Sequence, residues 1–260
     1  MRGLPVSAAV PLSPEVGPDW LQPLLTNVHD VRGAYQRRVP PEVLADITAA
    51  NTAATKTGRV RDAAVLVLFS GPPETPSASV VPGLPDDADL LVTVRATTLR
   101  HHAGQAAFPG GARDPGDDGP VATALREARE ETGIDVTRLH PLATLERMFI
   151  PPSGFHVVPV LAYSPDPGPV AVVDEAETAV VARVPVRAFL NPENRLMVYR
   201  SANGSRYAGP AFLLNQMLVW GFTGQVVSAI LDVAGWAQPW DNSRVLELDD
   251  ALALVGGDTQ

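Results

Sequence analysis

Short hydrophobic runs, separated by segments rich in proline, glycine and acidic residues, predict most of the strands. Residues 63–69 and 89–95 are Val- and Leu-rich runs too short for helices, which is typical of strands buried on both faces. We expect these two strands to pair. The segment 71–88 between them is rich in proline, serine and acidic residues and predicts a mobile loop that forms no packed element.

Three later runs extend the predicted sheet. Residues 139–149 and 155–163 are joined by Pro151-Pro152-Ser153-Gly154, a strong turn signal, and therefore predict a hairpin. Residues 180–186 predict a further strand.

Helical spacing of apolar residues predicts elements on either side of these strands. Residues 41–54 predict a helix, because Pro41 suits a first turn, where its missing N–H costs no hydrogen bond. Residues 212–236 have the length and apolar spacing of one long helix, in spite of Gly221 and Gly224. Helices and strands in this order predict an α+β fold, a mixed β-sheet sandwiched between helices.

Composition narrows the class of protein. Hydrophobic residues make up 45% and charged residues 19% of the chain, and no apolar run is long enough to span a bilayer, so we expect a soluble protein without membrane contact. The formal net charge of -9 argues against a nucleic-acid-binding surface. The absence of cysteine excludes disulfides, thiolate nucleophiles and zinc–cysteine sites, and it agrees with a cytoplasmic location. We expect an N-terminal helical extension at 1–57, a main domain at 58–236 and a C-terminal tail at 237–260.

The segment 120–133 combines a helix pattern with crowded acidic residues. Pro120 suits the first turn of this helix and Gly133 its end. The apolar positions at helical spacing predict one buried stripe, formed by Val121, Ala124, Leu125 and Ala128.

Three glutamates lie beside that stripe. Glu127, Glu130 and Glu131 stand at i, i+3 and i+4, so their carboxylates share a narrow sector of the helix. Like charges at this spacing destabilise a helix by about 0.2–0.5 kcal/mol per pair, and a divalent cation with its preference for oxygen ligands would relieve the repulsion. The alternative is a solvated face on which Arg126 and Arg129 neutralise the glutamates. Spacing alone leaves both interpretations open.

The helix and the residues before it resemble the Nudix box, G-x5-E-x7-R-E-U-x-E-E-x-G-U, where U is aliphatic. The second half of the box is filled by Arg126, Glu127, Ala128, Glu130, Glu131, Gly133 and Ile134. The first half departs from it, since Gly111 lies one residue too far upstream and Asp118, next to Asp117, takes the position of the first glutamate.

The lengthened spacing is similar to the coenzyme A pyrophosphatase branch of the Nudix hydrolases. That branch carries a second signature, L-L-T-x-R-[SA]-x3-R-x3-G-x3-F-P-G-G. In this chain it is matched by residues 91–96, Arg100, Gly104 and 108–111, with Val92 in place of one leucine. Glu177 followed by residues 184–186, and residues 219–223, resemble two later segments of the same branch.

The resemblance implies a Nudix fold and assigns roles to individual residues. It implies that Glu127 and Glu131, with Glu130, hold Mg²⁺ or Mn²⁺, and that Arg126 braces the glutamates. Glu130 or Glu177 would receive the proton of the attacking water. The residues expected to contact substrate are Arg95, Arg100, Gly104, Phe108, Gly110 and Gly111. A guanidinium suits phosphate because its fork donates two parallel hydrogen bonds.

The same resemblance implies hydrolysis of the diphosphate of coenzyme A or a derivative, to 4′-phosphopantetheine and adenosine 3′,5′-bisphosphate. Two alternatives stay open. One is a Nudix pyrophosphatase acting on ADP-ribose or another nucleoside diphosphate derivative, and the other is a module that senses such a nucleotide without cleaving it. A homodimer is compatible with either reading.

Overall fold

The computed structural model describes residues 10–75, 79–96, 104–151, 153–202 and 205–256. Within these ranges the helices are α1 (Gln22–Thr26), α2 (Asp30–Gln36), α3 (Pro41–Lys56), α4 (Gly119–Thr132), α5 (Val186–Leu190), α6 (Gly221–Val233) and α7 (Leu248–Gly256). The strands are β1 (Arg61–Ser70), β2 (Asp89–Arg95), β3 (Ala106–Ala107), β4 (Gly110–Ala112), β5 (His140–Thr144), β6 (Met148–Ile150), β7 (Phe155–Ser164), β8 (Thr178–Pro185), β9 (Arg195–Ala202), β10 (Ser205–Leu214), β11 (Met217–Val219) and β12 (Val245–Glu247). No helix in the described part of the chain has the length and apolar character needed to cross a membrane.

The main sheet is mixed, and β1 lies at its centre. The order of its principal strands is β3-β2-β1-β7-β5, with β4 on β1, β6 on β7 and β8 on β2. The long β7 runs parallel to β1, whereas β2 and β4 are antiparallel to it. The predicted pairing of the first two strands is confirmed, and so is the hairpin between β6 and β7.

Both faces of β1 are buried, as its unbroken hydrophobic run predicts. Successive side chains of a strand point to opposite faces, and here Val67 and Phe69 join one core cluster while Leu66 and Leu68 join another. Helix α4 covers the second face, and α2 and α6 cover the first. Each fully buried leucine contributes about 1.5–3 kcal/mol relative to an exposed one. The predicted α+β fold, a mixed sheet between helices, is confirmed.

The segment 71–88 forms no helix or strand at its described positions. The expectation that it would stay unpacked was nevertheless wrong. Leu84 and Ala88, at its end, are 1% and 0% exposed and belong to the core under the sheet. The prediction used the average composition of the segment, which does not show that two of its apolar residues are buried in the core.

The prediction of one long helix over 212–236 was wrong. The chain instead forms β10, reverses direction, returns as β11 and only then enters α6. Gln216 takes a φ of 61° in the reversal, and Gly221 takes a φ of 68° where α6 begins. A left-handed residue interrupts helical hydrogen bonding, so the apolar spacing on either side of Gln216 belongs to a hairpin. Strands β9 to β12 form a second sheet, which the sequence did not predict.

The N-terminal segment packs into the main core. The ring of Trp20 lies 6.2 Å from Phe69, 6.0 Å from Tyr163 and 6.0 Å from Trp236, and its indole N–H donates to the Pro72 carbonyl at 2.9 Å. These contacts join the predicted N-terminal extension to the sheet and to the end of the predicted main domain through one aromatic cluster. The domain boundaries at 57 and 236 stay predictions.

Candidate active site

The predicted site residues meet where β2 and β4 pair with different parts of β1. Strand β2 pairs with β1 only at Phe69 and Ser70, whereas β4 pairs with β1 from Ala63 to Val65. The chain crosses from β3, on β2, to β4, on β1, and the Leu66 N–H donates to the Pro109 carbonyl at 2.8 Å during this crossing. The glycine pair of β4 therefore enters the sheet beside the end of β2.

Both positions of the pair require glycine, because neighbouring atoms lie too close for a side chain. A Cβ on Gly110 would come within 2.4 Å of the Ala64 carbonyl oxygen, so only glycine lets β4 pass β1 here. A Cβ on Gly111 would come within 2.5 Å of the Glu127 Oε2. The glycine pair and the acidic helix α4 are therefore in contact, as the two halves of the motif require.

Helix α4 presents its carboxylates to the glycine pair because its other face is held by the core. All four residues of the predicted apolar stripe are buried against β1 and β7: Val121, Ala124, Leu125 and Ala128. Gly133 ends the helix with a φ of 66°, as predicted. The burial of the stripe fixes the rotation of α4, and with it the direction of Glu127 and Glu131.

Glu131 is the most strongly perturbed carboxyl group of the described site. Burial raises its pKa from 4.5 to about 7, with further raising from Glu127 and Glu177, while Arg95 and the Gly110 N–H oppose the shift. The Gly110 N–H donates to Glu131 Oε2 at 3.3 Å. The pKa of Glu127 is also raised, chiefly by burial. Two partly buried carboxyl groups thus lie side by side with incomplete compensation of their charge.

Arg126 is the centre of an ion-pair network that braces this helix. Its guanidinium contacts Glu127 and Glu130, each at 2.9 Å, and donates to the Ala112 carbonyl at 2.9 Å. It also pairs with Asp117 through two nitrogens, each at 3.0 Å. This arginine lowers the pKa of Asp117 to about 2, and its own pKa is raised, first of all by Asp117.

The aspartate that pairs with Arg126 is Asp117, the neighbour of the aspartate that fills the first acidic position of the box. The register of the box placed the first acidic position at Asp118, yet Asp118 is exposed and precedes the first turn of α4 without a side-chain cap. Asp117 is buried, accepts a backbone hydrogen bond from Asp114 at 2.9 Å and meets Arg126. Sequence reasoning noted Asp117 without assigning it a role. The signal available in the sequence was the turn Asp114-Pro115-Gly116-Asp117, because a Pro-Gly pair marks a turn before the helix.

The two candidates for the proton acceptor occupy different environments. Glu130 is exposed, with 51% of its side chain accessible, and its carboxylate is ion-paired with Arg126. Glu177 precedes β8, and its carbonyl accepts the Ala96 N–H at 2.9 Å at the end of β2. Its charge acts on Glu131. Glu177 therefore lies on the side of the site where β2 and the glycine pair meet.

Besides the glycine pair, the residues expected to contact substrate lie at the end of β2, in the core or outside the described residues. Arg95 ends β2, acts electrostatically on Glu131, and has a buried Nε without a hydrogen-bond partner among the described residues. Gly104 donates its N–H to the Arg95 carbonyl at 3.0 Å and so holds the end of that strand. Phe108 is 3% exposed and belongs to the core, so its assignment to direct substrate contact is corrected. Arg100 lies outside the described residues.

The donor set suits a hard divalent cation. Mg²⁺ is commonly held by one or two carboxylates, with water and substrate phosphate completing an octahedron, and Glu127 and Glu131 offer two carboxylates whose raised pKa values reflect burial without full compensation. Among the described residues, no group of three or more acidic or imidazole side chains could enclose an ion by itself. Two carboxylates would leave the other positions of such an octahedron to water and to phosphate oxygens.

Comparison with known proteins gives the site a family. Residues 73–201 match the model of the NUDIX domain. The chain is similar to two proteins described as "Uncharacterized Nudix hydrolase NudL". It is 36% identical over 138 residues to the protein from Photorhabdus laumondii subsp. laumondii, and the aligned region covers 53% of this chain and 73% of the relative. The corresponding protein of Yersinia pestis is 35% identical over 138 residues, covering 53% and 68%.

A solved structure of a Nudix hydrolase from M. smegmatis, RenU, is 25% identical, with a TM-score of 0.38 over 49% of this chain and 73% of that chain. The matched region 73–201 contains α4, the glycine pair, Arg95 and Glu177. From the family model and these curated relatives, the chain belongs to the Nudix hydrolases, enzymes that act on phosphorus-containing anhydrides.

Proposed function

We propose that the protein hydrolyses the diphosphate of coenzyme A or one of its derivatives in a reaction that requires Mg²⁺ or Mn²⁺. The observation that carries this proposal is the convergence of Glu127 and Glu131 on the Gly110-Gly111 pair, beside Arg95. Two carboxylates and a guanidinium at a partly exposed backbone segment are complementary to a cation-bound diphosphate.

Glu127 and Glu131 are the proposed cation ligands, with Glu130 at the solvent edge. Nudix hydrolases in general use divalent metal ions. When bound, such an ion supplies charge neutralisation for the diphosphate and lowers the pKa of a water molecule. Arg126 serves to hold Glu127 in place, because its guanidinium is anchored on the other side by Asp117.

The remaining groups orient the substrate and accept a proton. The free Nε of Arg95 supports a role in binding phosphate oxygens, and Gly104 would fix the strand that carries it. Between the two candidate bases we favour Glu177, since the carboxylate of Glu130 is already occupied by Arg126. Arg100 remains a proposed substrate contact from the motif alone.

The second signature, residues 91–111, supports coenzyme A as the substrate, and it ends with the glycine pair. ADP-ribose and other nucleoside diphosphate derivatives share the diphosphate that the site would contact. A sensing module without hydrolysis would bind the same ligands unchanged. These alternatives differ in product and rate, so one experiment separates them.

The experiment is a substrate panel with product analysis. Purified protein with Mg²⁺ or Mn²⁺ is given coenzyme A, an acyl form, an oxidised form, ADP-ribose and a dinucleoside polyphosphate, and products are identified by mass spectrometry. We expect coenzyme A or a derivative to give the highest kcat/KM, with 4′-phosphopantetheine (or its modified form) and adenosine 3′,5′-bisphosphate as products. Faster cleavage of ADP-ribose would reject the substrate, and tight binding without any product would reject catalysis.

A variant identifies the site as the origin of the activity. Glu131→Gln removes one proposed ligand charge and leaves the buried stripe of α4 intact, so turnover should be lost while the fold is kept. Thr137→Ala, which removes an exposed hydroxyl that donates to Asp135, is the control and should keep full activity. Full activity of Glu131→Gln would reject the site.

A further inference from the structure

A second concave site lies between the N-terminal helices and the β6–β7 hairpin. The cavity has a volume of about 340 Å³, within the range of small-ligand pockets. Its walls come from α2, α3, β6, the residues before β6, and β7. The proposed catalytic residues do not line it.

Two aromatic rings and an amide side chain line the inner wall of the cavity. His156 is 7% exposed, and its Nε2 lies 2.7 Å from Asn51 Oδ1. Because an amide oxygen only accepts, Nε2 is the donor, and the neutral ring keeps Nδ1 as an acceptor. Burial, followed by the charge of Arg147, lowers the pKa of His156, which agrees with a neutral ring. Phe149 packs edge-on against this ring, with centroids 5.5 Å apart, and adds an aromatic surface.

The rim of the cavity is basic and incompletely paired. Arg147 has 58% of its side chain accessible, and its recorded ion pair, with Asp62, has a separation of 3.8 Å, beyond a strong hydrogen bond. Arg32, on the other side, pairs with the exposed Glu146 at 2.6 Å. Surface pairs of this kind contribute little, so a phosphate group can compete for both guanidinium groups.

The strand register places this cavity relative to the glycine pair. Ala112, Ala63, Val157 and Met148 form one row across β4, β1, β7 and β6. Three strand spacings separate the ends of the row, which amounts to about 14 Å. An extended nucleotide derivative can reach from one site to the other, and a smaller ligand can bind the cavity alone.

We propose that the cavity between α2, α3 and the β6–β7 hairpin binds a phosphorylated nucleoside, with the base against Phe149, His156 and Asn51 and the phosphate at Arg147 and Arg32. The aromatic and amide groups match the face and edge of a heterocyclic base, and the guanidinium groups match a phosphate monoester. The ligand is either the nucleotide end of the substrate, in which case the inference rests on the proposed function, or a free nucleotide. The two sources share this chemistry and differ in their kinetic effects.

The first test measures binding without catalysis. Adenosine 5′-monophosphate and adenosine 3′,5′-bisphosphate are titrated calorimetrically into the full chain in EDTA, with adenosine and inorganic phosphate as partial probes. We expect binding of the whole nucleotides, and about tenfold weaker binding in Arg147→Glu and in Asn51→Ala, since each removes a hydrogen bond to a polar or charged group. Arg187→Glu, an equal charge change at an exposed position of α5 outside the cavity, should bind as the parent does.

The outcomes separate this inference from the proposed activity, because binding in EDTA requires no cleavage. Absence of nucleotide binding, or binding that both cavity variants leave unchanged, overturns it. A raised KM with unchanged kcat in these variants, for whichever substrate the panel identifies, assigns the cavity to the substrate. An unchanged KM together with a rate that responds to added nucleotide only when the cavity is intact assigns it to a free nucleotide.

Discussion

Gly111 and Glu127 lie so close that a Cβ at position 111 would come within 2.5 Å of the Glu127 Oε2. The carboxylate thus occupies the space that any other residue at position 111 would fill. This contact couples the glycine pair to the acidic helix and makes the position of Glu127 sensitive to a single methyl group.

Gly111→Ala tests that coupling. The new methyl group must displace the Glu127 carboxylate, and we expect the affinity for Mn²⁺ to fall by about 10–100-fold, as when a metal ligand loses its orientation. Isothermal titration gives the affinity. Gly116→Ala is the matched control, because a Cβ there meets no atom within 4 Å, and it should bind Mn²⁺ as the parent does. Equal affinity in both variants would contradict the coupling.

Glu131 should make the metal-free protein less stable as pH rises. Its pKa is raised from 4.5 to about 7, so between these values the folded carboxyl keeps a proton that the unfolded chain has released. The free energy of unfolding therefore falls across this window. Glu131→Gln stays neutral and should be more stable than the parent above pH 7, by about 1–3 kcal/mol, in urea unfolding with EDTA.

The control for this pH effect is Glu130→Gln, on the same turn but exposed. It should change the unfolding free energy by no more than about 0.5 kcal/mol at any pH. If the two variants have the same pH profile, burial of Glu131 is not the origin of the effect.

Asp117 and Asp118 should differ sharply in their contribution to stability. Asp117→Asn weakens a two-nitrogen contact of Arg126 with a buried carboxylate, which should destabilise the fold by about 1–3 kcal/mol and loosen Glu127. Asp118→Asn changes an exposed residue at a helix start, where asparagine is equally suitable, and should be nearly neutral. Thermal unfolding of the two variants provides the comparison. A larger loss for Asp118→Asn would restore the register of the motif.

Replacement of Gln216 by glycine should increase the stability of the protein. Its φ of 61° is strained for a residue with a Cβ, so Gln216→Gly should stabilise the β10–β11 hairpin by about 0.5–1 kcal/mol. Asn215→Gly, at a neighbouring position without a positive φ, should instead lower stability, because glycine loses more conformational freedom on folding. Denaturant unfolding of both variants checks the sign. Destabilisation by Gln216→Gly would argue against the hairpin.

Local patterns in the sequence predicted the parts of the fold that depend on near neighbours. The buried strands β1 and β2, the hairpin of β6 and β7, and the limits of α4 follow from hydrophobic runs, turn residues and a terminal glycine. The same local spacing brought the glutamates of α4 onto one face. These features were predictable because each depends on residues only a few positions apart.

Tertiary structure decided what local patterns left open. It made Asp117 the partner of Arg126, placed Phe108 in the core and turned 212–219 into a hairpin. In each case the deciding contact is one that apolar spacing does not reveal: the turn before α4 contacts the helix, the glycine pair contacts β1, and β10 pairs with β9 and β11. Only folding brings such segments within hydrogen-bonding distance, so hydrophobicity and spacing determined the elements while packing selected their partners.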